Sequence, residues 1–172
     1  MTAAVLLAVS SFPAAAMASE GFTGEYERLI DMADLLTYEE ESELLETLNE
    51  ISERQKMDIV LITSEDMDGY SDIQEYADDL YDYCDYGYGA SRDGLLLLIS
   101  MEERDWYIST CGYGITAFTD AGISYLGSAM KEDLSSGNYA SAFNTYASEC
   151  DQMITRAREG HPFSKKDLPH AP

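Results

Sequence analysis

The chain has 172 residues, with 10 Lys plus Arg against 33 Asp plus Glu and a formal net charge of −23. That length supports one domain with a core of its own. A surface so negative repels phosphate backbones and anionic membranes, which argues against nucleic-acid binding and suits a soluble exported domain or one that gathers divalent cations.

Met1 to Ala18 carries no charge, is rich in Ala, Val and Leu, and ends Ala16-Met17-Ala18. It reads as a secretion signal over 1–18, although the usual basic start is missing. The domain then spans 19–158. Residues 19–36 form a lead-in that holds Asp31 and Asp34. Thr37-x-x-Glu40 has the form of a capping box and opens a helix to about Gln55, with Leu44, Leu45, Leu48 and Ile51 as its apolar stripe. Met57 to Thr63 reads as a strand. Ser64 to Tyr70 is a turn, and Ser71 or Asp72 caps a second helix with Ile73, Tyr76, Ala77, Leu80, Tyr81 and Cys84 on one face.

Tyr86-Gly87-Tyr88-Gly89-Ala90 ends that helix and leads to Asp93-Gly94, where the run Leu95-Leu96-Leu97-Leu98-Ile99 begins. The run is too short for a membrane span and suits a strand buried on both faces. Trp106 to Thr110 follows at once and ends in Cys111-Gly112-Tyr113-Gly114, so the two strands read as a hairpin at the centre of a sheet. Thr119 caps a third helix with Ile123, Leu126 and Met130 inward; after a break at 135–138, a fourth buries Phe143, Tyr146, Ala147, Cys150 and Ile154. Strand, helix, strand predicts a right-handed parallel crossover. The expected fold is therefore α/β: a three-layer α/β/α sandwich with a small mixed sheet, a parallel crossover pair plus an antiparallel hairpin. Residues 159–172, with Pro162, Pro169, Pro172 and Lys165-Lys166, read as a linker that would lead to a membrane tether beyond residue 172.

The topology also sorts the acidic residues. Asp31, Asp34, Asp66, Asp68, Glu102 and Glu103 fall at the C-terminal end of the parallel strands. Asp93, Gly112, Gly114 and Asp120 fall at the other end, near Cys84 and Cys111. His161 and His170, the only histidines, both lie in the tail, which removes histidine catalysis and histidine ligation from the globular part. Cys84, Cys111 and Cys150 form no Cys-x-x-Cys motif; one disulfide and one free thiol are expected in an exported chain, with the pairing open. Ala117 stands where a cysteine-phosphatase cradle built on Cys111 needs Arg, and Gly69 follows Asp66 too early for an EF-hand.

The abundant carboxylates suit Ca²⁺ or Mg²⁺ over softer metals. Asp93 shapes the turn into its strand or ligates a cation, and Asp120 sits at a helix N-terminus or does the same. Gly112 and Gly114 permit tight backbone turns or the approach of a ligand to the loop Gly112-Tyr113-Gly114. Tyr81, Tyr83, Tyr86, Tyr88 and Tyr113 are available to stack on sugars or partner proteins, or simply to pack.

Taken in order, Asp31 with Leu36-Thr37, Tyr76-Ala77, Asp93-Gly94-Leu95-Leu96-Leu97, and Gly112-Tyr113-Gly114 with Thr119-Asp120 resemble the TPM domain family over about residues 26–157. The resemblance implies an α/β/α domain outside the cytoplasm, secreted or held at the cell surface, often tethered to a membrane and accessory to another envelope or membrane protein. It implies a Ca²⁺ site built on loop aspartates, which by position are Asp31, Asp93 and Asp120. The alternative it carries is a metal-dependent acid phosphatase acting on phosphomonoesters. The topology sets Asp31 at the opposite end from the other two, which makes Asp93 and Asp120 the better pair.

Overall fold

The structure, a computed structural model, describes residues 26–168. The expected secretion signal lies outside the described residues. The elements are β1 (Leu29–Asp31), α1 (Tyr38–Gln55), β2 (Asp58–Ser64), α2 (Ile73–Tyr83), β3 (Gly94–Ser100), β4 (Asp105–Cys111), α3 (Gly114–Ala117), α4 (Asp120–Ser136) and α5 (Tyr139–Arg158). They build the expected α/β sandwich around a four-stranded sheet in the order β1-β2-β3-β4. β1, β2 and β3 are parallel, and β4 returns antiparallel to β3.

Two differences from the sequence reading follow. The lead-in contains β1, whose Leu29, Ile30 and Asp31 pair with Leu61, Ile62 and Thr63. Three residues are too few to show a period of two. The hairpin is also not central: β3 lies between β2 and β4, while β4 forms an edge. Its position explains the leucine run. All seven residues of β3 are buried, Leu95, Leu97 and Ile99 toward one core and Leu96 and Leu98 toward the other. A strand covered on both faces has no reason to alternate polar with apolar.

The helices start where their caps predict. Thr37 Oγ1 accepts from the Glu40 N–H while the Glu40 carboxylate accepts from the Thr37 N–H at 2.8 Å, which closes the capping box of α1. Asp72 caps α2 and Thr119 caps α4 through their side chains. Each such cap is worth about 1 kcal/mol. Leu44, Leu48, Leu126, Met130, Phe143, Tyr146 and Ile154 from α1, α4 and α5 fill the larger core. The Tyr146 hydroxyl, buried there, donates to the Val60 carbonyl at 2.9 Å. Among the described residues α2 is the only helix on the opposite face, contributing Tyr76, Ala77, Leu80 and Tyr81. Tyr26, Tyr70 and Tyr86 complete that smaller core.

All three cysteines are free thiols, so the expected disulfide does not form. The sheet explains why for Cys150, which sits in the larger core, whereas Cys84 and Cys111 pack on the smaller one.

The segment after Gly160 stays on the domain as far as its described residues go. Phe163 is buried, stacks on Tyr125 with ring centroids 4.7 Å apart, and accepts from Thr119 Oγ1 at 2.6 Å through its carbonyl. Arg156 and Asp167 close this clasp at 2.7 Å, and the Ser164 N–H donates to Asp167 at 2.9 Å. Proline and lysine composition conceals the one aromatic that docks it. The Arg156 guanidinium, with the Ser164 hydroxyl and N–H, holds the Asp167 carboxyl at about 2, below its ordinary 3.8. A carboxyl depressed in the folded state contributes fully above its ordinary value and loses that contribution as pH falls through the folded one. Acidification from about pH 4 to pH 2 is therefore expected to release the clasp. The ring-current shifts and cross-peaks between Phe163 and Tyr125 in NMR spectra should weaken before helical circular dichroism is lost. Retention of those cross-peaks down to global unfolding would contradict the clasp.

Candidate functional site

The strand register brings the predicted residues to two ends of the sheet. At the N-terminal end of β3, Gly94 pairs with Cys111 across the hairpin and with Asp58 of β2. Asp93 therefore lies beside the turn that leaves β4. Its Oδ1 accepts from the Tyr113 N–H at 2.7 Å. Its backbone completes the joint: the carbonyl accepts from the N–H groups of Asp58 at 3.0 Å and Tyr88 at 2.9 Å. Gly112, at φ +57, has no room for a side chain, since a Cβ there would stand 2.2 Å from Asp93 Oδ1. At Gly114 a Cβ would stand 2.2 Å from the Gly94 carbonyl oxygen. Gly112, Tyr113 and Gly114 thus fold tightly around Asp93 and the start of β3, leaving their backbone engaged with the protein itself.

Basic residues that sequence reasoning passed over complete this end. Arg158, at the C-terminal end of α5, stacks over the Tyr113 ring at 5.4 Å and donates to the Gln55 carbonyl. Arg28, just before β1, binds Asp58 through Nε at 3.0 Å and Nη2 at 2.8 Å. The other Asp58 oxygen accepts from the Gly87 N–H at 2.8 Å. Arg92 reaches the carbonyls of Tyr81 and Tyr86, each at 3.1 Å, and the Asp82 carboxylate at 2.7 Å. The available signal was placement: Arg28, Lys56 and Arg92 each precede a parallel strand. It becomes readable only once β1 is known.

At the opposite end, Asp31 closes β1. Its Oδ2 accepts from the N–H groups of Leu35 and Leu36, each at 2.8 Å, and its Oδ1 accepts from the buried Thr63 hydroxyl. Ser100 donates to Glu103 nearby in the chain, closing the β3–β4 turn. Asp31 is thus a ligand of backbone and hydroxyl donors, and the structure keeps it apart from Asp93 as the topology predicts.

Asp120 is an exposed residue in the first turn of α4, whose N-cap is Thr119. Among the described residues no group of three or more His, Cys, Asp or Glu side chains is placed to hold a metal ion. Neither Asp93 nor Asp120 therefore belongs to a carboxylate cluster of the kind that supplies the six to eight oxygens Ca²⁺ takes. The residues do not fit a closed calcium cage.

The thiols differ sharply in access. Burial pushes the Cys84 thiol up to about 11 and raises that of Cys150 well above its ordinary value. Cys111 is partly exposed at the end of β4. A buried thiol with a raised pKa is a poor nucleophile. Native protein should accordingly react with a chromogenic disulfide at Cys111 alone, and denatured protein at all three cysteines. Rapid native reaction of the Cys111→Ser variant would show that the cores are not closed.

Comparison with known proteins agrees with the architecture. A family model described as the TPM domain matches residues 29–153. The UPF0603 protein YdjH of Bacillus subtilis (strain 168) is 28% identical over 120 residues, covering 70% of this chain. The match takes in 45% of that relative, so this chain corresponds to less than half of its length. Among solved structures, the N-terminal domain of a P. gingivalis protein superposes with a TM-score of 0.65 at 21% identity, covering 81% of this chain and 88% of that one. The BA42 protein of Bizionia argentinensis gives 0.61 at 16% identity, covering 80% and 91% respectively. At these identities the likeness concerns the fold.

Proposed function

Because the chain belongs to the TPM domain family, we propose that it is an accessory, protein-binding domain working outside the cytoplasm, held near a membrane by chain beyond residue 172. The observation that supports this reading is how the acidic positions are used. Asp31 and Asp93 are engaged with backbone N–H groups of the fold, while Glu39, Asp79 and Asp82 stand on exposed helix surface. Such a surface offers wide, charged contact area in place of a reaction centre. The uncharged segment Met1 to Ala18 supports export. Among the described residues no helix is long and apolar enough to cross a membrane.

The reading is tested by fusing residues 1–172 to a reporter enzyme that becomes active only outside the cytoplasm. Activity that disappears when residues 2–18 are deleted is expected. A reporter that stays inside the cell in both forms would remove the extracytoplasmic placement. Site-specific photo-crosslinking from exposed positions on α1 and α2 should then capture an envelope or membrane protein.

Calcium is a finer reading, limited to a weak open site at Asp93 and Asp120 with water filling most of the coordination. Adding Ca²⁺ or Mg²⁺ should therefore move Tm by less than about 2 °C relative to chelator, since tight binding to the native state alone would raise it much further. Phosphomonoester hydrolysis, the alternative carried by the family resemblance, is tested by Asp93→Asn with Asp120→Asn. Aryl-phosphate hydrolysis that persists in this double variant would reject that pair as its site.

A further inference from the structure

The two faces of the sheet are unequally covered, and the thinner one holds a groove. α1, α4 and α5 share one face, while among the described residues α2 stands alone on the other. Beside α2, the residues Tyr70, Asp79, Leu80, Asp82 and Tyr83 line a surface groove of about 380 Å³. Leu80 forms an apolar floor at 6% exposure, while Tyr83 is 37% exposed. Tyr70 is fixed by stacking on Tyr76 at 4.7 Å and by donating to Asp79 at 2.9 Å. Tyr83 is braced by Tyr26 at a centroid separation of 6.4 Å. The walls are thus preformed aromatic rings with carboxylates on the rim.

The charge of this helix is one-sided. α2 contains Glu75, Asp78, Asp79 and Asp82 and no basic residue, even in its last turn, where a cation is favoured. The protein itself shows what such surroundings take. Near the end of α2, the Arg92 guanidinium lies 5.3 Å over the Tyr81 ring, bonds Asp82 at 2.7 Å and reaches the Tyr81 carbonyl at 3.1 Å. Ring face plus carboxylate is a guanidinium site. Tyr70, Tyr83 and Asp79 repeat that combination, and among the described residues Asp79 forms no ion pair with Lys or Arg.

We infer that this groove receives an arginine side chain from a basic segment of a partner protein. The guanidinium would stack on the tyrosine walls and bond Asp79. Arginine fits better than lysine because its planar, weakly hydrated head can stack and fork at once. A second copy of this chain is a poor occupant, since two bodies each carrying −23 repel. The inference rests on the protein-binding reading above and names the surface that reading would use.

The test is an NMR titration of the isotope-labelled full chain with a capped nonapeptide of alternating Arg and Ser. A matched peptide carries neutral citrulline in place of each Arg. Saturable shifts centred on Tyr70, Asp79, Asp82 and Tyr83 are expected with arginine and not with citrulline. Asp79→Asn combined with Tyr83→Ala, both exposed and so compatible with folding, should weaken binding by at least about tenfold. Unchanged circular dichroism checks that the variant is folded. Shifts spread evenly over the acidic surface, equal response to citrulline, or undiminished binding by the variant would each overturn the groove. A crosslinked partner still captured by the double variant would also overturn the groove and leave the broader reading standing. Loss of every crosslink in both forms would remove the broader reading.

Discussion

Gly114→Ala is expected to cost about 3 kcal/mol or more and to lower Tm by about 10 °C, or to prevent folding outright. The added Cβ would stand 2.2 Å from the Gly94 carbonyl oxygen and 3.1 Å from the Gly94 carbonyl carbon. Both atoms are backbone, so no rotamer change relieves the overlap. Nor can Gly94 retreat, because it is held in register with Asp58 on one side and Cys111 on the other. The turn must move instead, and with it the hydrogen bond from the Tyr113 N–H to Asp93. Ile115→Ala is the control: that side chain is 64% exposed, and its loss should stay within about 0.5 kcal/mol. Thermal or urea unfolding of the two variants measures the difference. If Gly114→Ala melts within about 2 °C of the parent, the close approach of α3 to β3 is incorrect.

Asp31→Ala is the second large effect, expected at about 2–4 kcal/mol. The carboxylate accepts from Leu35 N–H, Leu36 N–H and the Thr63 hydroxyl. Leu36 and Thr63 are buried, so water cannot readily replace the lost acceptor. A buried donor left without a partner costs more than the bond itself contributed. Asp31→Asn keeps one acceptor oxygen and should lose about half as much. The measurement also separates two roles for this residue. If Asp31 acts through the backbone, the loss is the same in chelator and in Ca²⁺. A loss seen only in the presence of Ca²⁺ would make Asp31 a metal ligand after all.

The parts of the fold that were legible beforehand share a cause. β3 is a continuous apolar run because it is covered twice; α1, α2 and α4 carry one apolar stripe each with a side-chain cap in front, and α5 carries its stripe without one. Those signals are local. β1 was not legible because three residues carry no period, and its evidence is the parallel pairing with Leu61, Ile62 and Thr63, about thirty positions away. Phe163 was hidden by the prolines and lysines around it, though it is buried against α4 and α5. At the site, Asp93 and Gly112 to Gly114 could be placed together because a hairpin makes the start of one strand adjacent to the end of the next. Asp31 was correctly set at the far end on topology alone. Arg28 and Arg158 were missed because their partners Asp58 and Gln55 lie 30 and 103 positions away, whereas Arg92 reaches Tyr86 only six positions back and was passed over in the loop before β3.

That α2 alone, among the described helices, covers one side of the sheet has a dynamic consequence. Local opening follows the amount of packed surface an element must give up. α2 can lift from Val60, Ile62, Leu96 and Leu98 while the opposite layer, bolted by Tyr146 to Val60, stays shut. Amide deuterium uptake should therefore run in two tiers, fast through α2 and slow through α5. The protein would then breathe from one flank only, like a book whose thin cover lifts while the bound pages stay closed.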